Sequence, residues 1–409
     1  MKRPTAALLL QFILSSGLCA QPQTPDPQAV IEDIRTRFAP DSRTALFEAA
    51  ASLLPDGTVR LEGVSDMPEA LAQLRAAFYA KGVPTDVALR IVPDREQLKD
   101  KIWGLIRTPD APVFDRPDAP PADLVPAGTP VRRYDTKDGL TRIQLPDGTV
   151  VRTPDEFIRP LNDTGLIIWN RADKIVVTSP RVPFSENRAS SGVSLVMLGT
   201  GTQLRILEKH ADGWTAVLPD GTAGFVARSD ASPLEGFQEH QENVRRASQP
   251  DFMKAVAVTA LKLRESGMTS DADRLVRTAF RSHDLIIQRD ADMMQKAFPA
   301  VDPGRHFEQL RAGDLLFFRS ADGRLESTIS LGKGRFVALP GMSGPTADLN
   351  AGKKADRSAL RRRFAGAARP DPGFLTDPCL TSTRSNPFYQ TPPKVLVPCR
   401  KRADVPEIR

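Results

Sequence analysis

The amino-acid sequence predicts an α+β multidomain chain: a small β-β-α-β module, two small β-barrels and an α+β C-terminal domain. Three observations carry this reading. The chain has 409 residues, 40% hydrophobic and 26% charged, which is longer than one ordinary domain and apolar enough for several cores. Residues 102–161 and 174–234 repeat one another, with Leu145-Pro146-Asp147-Gly148-Thr149 matching Leu218-Pro219-Asp220-Gly221-Thr222. An amphipathic helix opening at Asp271 precedes two hydrophobic strand patterns, around Leu315–Phe318 and Thr328–Leu331.

Met1–Ala20 has the order of a secretory signal: Lys2 and Arg3, an apolar core from Ala6 to Leu14, then Ser15–Ala20. The run is too short to span a bilayer, and no later stretch reaches about 18 apolar residues. The expectation is an exported protein, periplasmic or associated with the cell envelope, with no transmembrane segment. Once Cys19 leaves with the signal, Cys379 and Cys399 remain. In an oxidising compartment these two predict a disulfide. The net charge of +6 is modest, and nucleic acid is not expected as a partner of an exported protein. Lys353, Lys354, Arg357 and Arg361–Arg363 form a basic cluster. Such a cluster is either a solvated helix face or a contact for anionic surfaces.

Residues 21–40 read as a polar lead. Over 41–95, Leu46–Leu54 and Val59–Leu61 predict strands joined at Asp56-Gly57. Met67, Ala70, Leu71, Leu74 and Phe78 then predict a helix, and Val87, Leu89 and Ile91 a closing strand. This β-β-α-β pattern resembles the BON module of bacterial envelope proteins. Each repeat, over 102–162 and 174–235, has a strand entering a Pro-Asp-Gly turn, which predicts short strands in a small barrel. Both copies resemble bacterial SH3 domains, and the second, with Asp212-Gly213-Trp214, is the closer match. Trp214 is open to two readings, core packing or the wall of a groove for cell-wall peptide. A polar linker is expected from Leu234 to about Pro250.

The last domain, 250–409, carries four blocks. These are Asp271-Ala272-Asp273-Arg274-Leu275-Val276, Gln288-Arg289-Asp290-Ala291 with Gln295, Gly313-Asp314-Leu315-Leu316-Phe317-Phe318, and Leu331-Gly332-Lys333-Gly334-Arg335-Phe336. In order and type they resemble the NlpC-type cell-wall cysteine peptidases, papain-like enzymes that cleave peptidoglycan stem peptides. The resemblance implies a nucleophilic cysteine at position 272, a base histidine at 326 and an orienting polar residue at 338. This chain has Ala272, Glu326 and Ala338, and no cysteine between Cys19 and Cys379. Such hydrolysis needs a thiolate and an adjacent imidazole, so the triad chemistry does not carry over. Of His210, His240, His283 and His306, none falls at the base position.

The expectation is therefore a degenerate, non-catalytic relative that binds peptidoglycan stem peptides or an envelope protein, with no cofactor and no metal. Its groove candidates are Asp271, Asp273, Arg289, Asp290, Glu326 and Trp214. The alternative is an active peptidoglycan hydrolase using a non-standard carboxylate or metal site built from Asp271, Asp273, Asp290 and Glu326.

Overall fold

In the computed structural model, which describes residues 26–188, 193–267, 271–373, 375, 379–396 and 399, the first element is a helix. The expected signal at Met1–Ala20, with Cys19, lies outside the described residues. Helix α1 (Pro27–Phe38) starts where Asp26 accepts a hydrogen bond from the Gln28 N–H, and Pro27 occupies its first turn. This corrects the polar lead expected over residues 21–40. Only Ile31 and Ile34 of the helix are buried, too short a pattern to stand out in a charged stretch. Strands β1 (Phe47–Leu53) and β2 (Val59–Ser65) pair antiparallel. Helix α2 (Pro68–Ala80) then crosses over to β3 (Thr85–Ile91), which lies parallel to β2. Ile31, Ile34, Phe47, Leu61, Leu74 and Phe78 fill the core between helices and sheet. The one-turn helix α3 (Arg95–Leu98) leads out of the module.

The internal repeat is a repeat of topology. The first copy contains β4 (Trp103–Ile106), β5 (Ala111–Val113), β6 (Asp123–Val125), β7 (Pro130–Lys137), β8 (Leu140–Gln144), β9 (Val150–Pro154) and β10 (Ile158–Leu161). The second contains β11 (Lys174–Val177), β12 (Val182–Ser185), β13 (Ser194–Leu198), β14 (Gln203–Lys209), β15 (Gly213–Val217), β16 (Ala223–Ala227) and β17 (Ala231–Pro233). Helix α4 (Asp163–Arg171) joins them. In the second copy the strands run β13-β12-β16-β15-β14-β11-β17. The first copy has the same order, with its β5-β6 pair attached to β9 by the single bridge Phe114↔Arg152. Each sheet folds over its own core, Val131, Ile143 and Val151 in one and Leu204, Trp214 and Val226 in the other. Among the described residues neither sheet closes on itself, because its two outer strands are not partners. The expectation of closed barrels is corrected to that of curved open sheets.

The expected linker after Leu234 is helix α5 (Leu234–Ala247), in which only Phe237 is buried. A single apolar anchor on a charged helix gives no readable stripe. Helix α6 (Gln249–Glu265) and helix α7 (Ala272–Arg281) follow. After β18 (Ile286–Ile287) and α8 (Ala291–Ala297) come β19 (Ala312–Arg319), β20 (Leu325–Gly332), β21 (Arg335–Val337) and β22 (Thr346–Asp348). Helix α9 (Lys354–Arg363), β23 (Phe364–Ala368) and β24 (Leu380–Thr381) complete the chain. The main sheet has the order β22-β21-β20-β19-β23. Lys333 and Gly334, both at positive φ, make the tight turn from β20 to β21. Gly313 is required twice over: its φ is +93°, and a Cβ there would strike Met253 of α6.

Ionic contacts lock the C-terminal domain to the rest. Arg277 of α7 holds Asp123 of β6 with both guanidinium nitrogens, and both residues are buried. Arg289 pairs with Asp115 at 2.7 Å, and Arg43 reaches Asp292 at 2.7 Å and Asp290 at 3.2 Å. On the other side of the first repeat, the Tyr134 hydroxyl donates to Asp66 of the N-terminal module at 2.6 Å.

Cys379 and Cys399 form the expected disulfide, with their Cα atoms 4.8 Å apart. Cys379 packs into the same core as α6 and α7. The chain freed of Met1–Ala20 is therefore expected to show no free thiol in a denaturing, non-reducing titration. Reduction should cost about 3 kcal/mol, the loop-entropy value for a closure of this length. Two titratable thiols would contradict the pairing.

Candidate functional site

Helix α7 begins with Asp271, whose carboxylate accepts the backbone N–H of Arg274 at 2.6 Å. Ala272 is therefore the first helical residue, at the positive end of the helix dipole. The main sheet beneath it has two covered faces because successive strand residues alternate. Leu315, Phe317, Ile329 and Val337 point into the core shared with α6 and α7. Leu316, Phe318 and Phe336 point to the other face, where Phe307 and Leu339 cover them and Ala272 and Phe364 pack against the same cluster. Phe318 stacks on Phe336 with ring centres 5.0 Å apart and meets Phe364 edge-on at 5.6 Å.

The three positions matched to the peptidase triad lie around this aromatic cluster. Ala272 packs on it. Glu326 stands opposite Phe318 across the β19-β20 ladder, and its carboxylate accepts from Arg363 of α9 at 3.1 Å. Ala338 is 3% exposed, and its N–H donates to the Pro345 carbonyl. Beside them stand aromatic rings, a methyl group and an ion-paired carboxylate. None of these is a thiol or an imidazole.

Asp273, one residue further, faces the opposite way and serves as a junction. Its carboxylate accepts the Ala291 N–H of α8 at 2.9 Å, the Ser327 N–H at 2.8 Å and the Ser327 hydroxyl at 2.6 Å. Burial raises its pKa to about 6 against the pull of those donors, and the Asp271 charge adds to the rise. Ser327 and Glu326 are neighbours on one strand and point to opposite faces. The four acids proposed for a carboxylate or metal site therefore do not converge. Asp290 is spent on Arg289 and Arg43. Among the described residues no group of three His, Cys, Asp or Glu side chains is placed to hold a metal ion.

The remaining candidates are structural. Arg289 is 2% exposed and bonded to Asp290 and Asp115, so it faces the first repeat, not solvent. Trp214 is 2% exposed within the second sheet, with the Arg228 guanidinium 4.8 Å above its ring. Its ring packs with Leu204 and Val226 in the core of that sheet. In the basic cluster, Arg361 donates to the Leu349 carbonyl and Asn350, Arg357 to the Asn350 carbonyl, and Arg363 to Glu326. Three of its arginines thus staple α9 to the loop and sheet. His283 sits between Thr259 and Gln241, and burial lowers its pKa to about 4, so its ring is neutral.

Sequence reading missed the arginines of α7. Arg274, Arg277 and Arg281 recur at helical spacing on one face. Arg277 holds Asp123, whereas Arg274 and Arg281 line a cleft of about 250 Å3 with Arg181. That spacing was the available signal.

Two outcomes check the Asp273 junction. Asp273→Ala leaves three donors unsatisfied and should destabilise the fold by about 3 kcal/mol in chemical denaturation. A carboxyl whose folded pKa is raised contributes stability that is complete below its unfolded pKa and is lost as pH rises through the folded value. Wild type minus Asp273→Asn should therefore show stability falling between about pH 4 and pH 6. Equal slopes in the two proteins would contradict the assignment.

No family model matches the chain, and no curated protein matches it. Solved structures do. An NlpC/P60 family protein from Bacillus cereus is 17% identical, with 66% of this chain and 100% of that one covered, at a TM-score of 0.48. An NlpC/P60 endopeptidase from Photobacterium damselae subsp. piscicida is 12% identical over 68% of this chain and 72% of its own, at 0.42. A lipoprotein-like NLP/P60 family protein from Staphylococcus aureus is 21% identical over 29% of this chain and 40% of its own, at 0.23.

Proposed function

We propose that this is an exported cell-envelope protein that binds peptidoglycan stem peptides without cleaving them. On this reading residues 250–409 are a degenerate NlpC-type papain-like domain. Residues 41–95 are a BON-like module, and residues 102–162 and 174–235 are SH3-like. The observation that carries the proposal is the occupancy of one place. The start of α7, where a peptidase of this type holds its thiolate, has Ala272 packed against the cluster that contains Phe318 and Phe336, and position 326 holds a glutamate paired with Arg363. Position 338, matched to the orienting residue, is a buried alanine. The four sequence blocks support the family reading, and the open sheets with a shared strand order support a duplicated envelope module. No helix among the described residues is long and apolar enough to cross a membrane.

The test is incubation of the full chain with purified peptidoglycan, followed by mass spectrometry of the soluble fraction. Wild type should be retained on the sacculi and release no stem-peptide fragments. Ala272→Cys should also release none, because the thiol would gain no imidazole and would face Glu326. Cleavage by wild type that survives cysteine-directed inhibitors would overturn the reading.

A further inference from the structure

The two strand repeats and helix α7 enclose a cleft of about 250 Å3 that the degenerate triad does not touch. The first repeat contributes Asp110 and Leu124, the second Arg181 and Met197, and the helix Arg274 and Arg281. Three arginines and one acid, Asp110, are thus among its lining residues. Asp110 lies 3.6 Å from Arg274. Among the described residues, no hydrogen bond or ion pair holds the guanidinium of Arg181 or of Arg281. Arg281 has Asp123, Asp147 and Tyr389 as electrostatic neighbours, and the Asp123 carboxylate is also bound by Arg277. The backbone makes room for this arrangement. At Gly201 a Cβ would collide with the Arg281 side chain, so the glycine lets that chain lie across the second repeat.

Arginines gathered at the junction of three elements offer forked donors to an anion that enters between them. Guanidinium forks match carboxylates in two-point geometry. The cleft is smaller than the roughly 300–1,000 Å3 of drug-sized sites, so it takes an anionic group and its neighbouring atoms, not a large ligand. Leu124, Pro126, Pro180 and Met197 supply apolar walls for those atoms. We infer that this cleft binds the carboxylates of a short stem peptide, with Arg181 and Arg281 as the primary cations and Arg274 beside them. The inference deepens the proposed peptidoglycan-binding function, moves the ligand away from the start of α7, and rests on that function for the identity of the peptide.

Calorimetric titration of the full chain tests it. The probes are the tripeptide L-Ala-γ-D-Glu-L-Lys, the same peptide with its carboxylates amidated, tri-L-glutamate and inorganic phosphate. The free acid should bind, the amidated form at least tenfold more weakly. Arg181→Gln and Arg281→Gln should each weaken the free acid at least tenfold, with added salt weakening wild type further. Arg181 is exposed, so its variant should keep the wild-type melt and remains informative even where Arg281→Gln unfolds. Equal binding of acid and amide, or no change in Arg181→Gln, would overturn the inference. Tighter binding of tri-L-glutamate would overturn it in favour of an acidic protein, and binding of phosphate alone in favour of a phosphate site. Sacculus retention unchanged in both variants would sink the cleft and leave the proposed function standing. Loss of retention by wild type would sink that function, while the titration would still decide the cleft.

Discussion

The carboxyl group of Asp273 is the constraint on which the C-terminal domain depends. One side chain gathers the first turn of α7, the first turn of α8 and the middle of β20. The first two sequence blocks therefore meet at this side chain, with Ser327 of β20 as their common partner. Desolvation outweighs three donors and holds the group near pH 6. A carboxyl at that value has the character of a catalytic acid or base. Here its lone pairs are committed to backbone and hydroxyl donors, which makes it a structural joint.

The same economy runs through the other blocks. Asp314, in the Gly-Asp-Leu motif, is 2% exposed and accepts from Arg369 at 2.7 and 2.8 Å, which ties β19 to the end of β23. Arg289 and Asp290 face Asp115 and Arg43, and Arg277 holds Asp123. Breaking a buried pair such as Arg277–Asp123 leaves an uncompensated charge, a loss of about 3–5 kcal/mol. Residues that a sequence motif marks as a site have here become the contacts between domains. The aromatic cluster of Phe307, Phe318, Phe336 and Phe364 covers the sheet face on which Ala272 packs.

Regular patterns were legible in the sequence, and long-range partners were not. The repeat was visible because each copy carries its own Leu-Pro-Asp-Gly-Thr turn, and Ala70, Leu71, Leu74 and Phe78 spelled out α2 at helical spacing. Helices α1 and α5 escaped because each buries one or two side chains in an otherwise charged stretch. The closed barrels failed because strand number and turn chemistry do not specify whether the outer strands meet. The disulfide followed from the cysteine count once Cys19 was assigned to an export signal. The burial of Trp214 was not legible, because burial depends on the whole sheet. The arginine cleft brings Arg181 of the second repeat to Arg274 and Arg281 of α7, and no local spacing predicts that the two stretches share one space.

The central claim is that the start of α7 is packed and electronegative, not an open thiolate site. The most direct measurement is the alkylation rate of Ala272→Cys by iodoacetamide as a function of pH, in the folded chain. The account predicts slow modification and a thiol pKa at or above the ordinary value of about 8.5, set by Asp271, Asp273 and Glu326 against the helix dipole. Fast alkylation with a pKa well below that value would reveal an open, electropositive cleft and contradict the account.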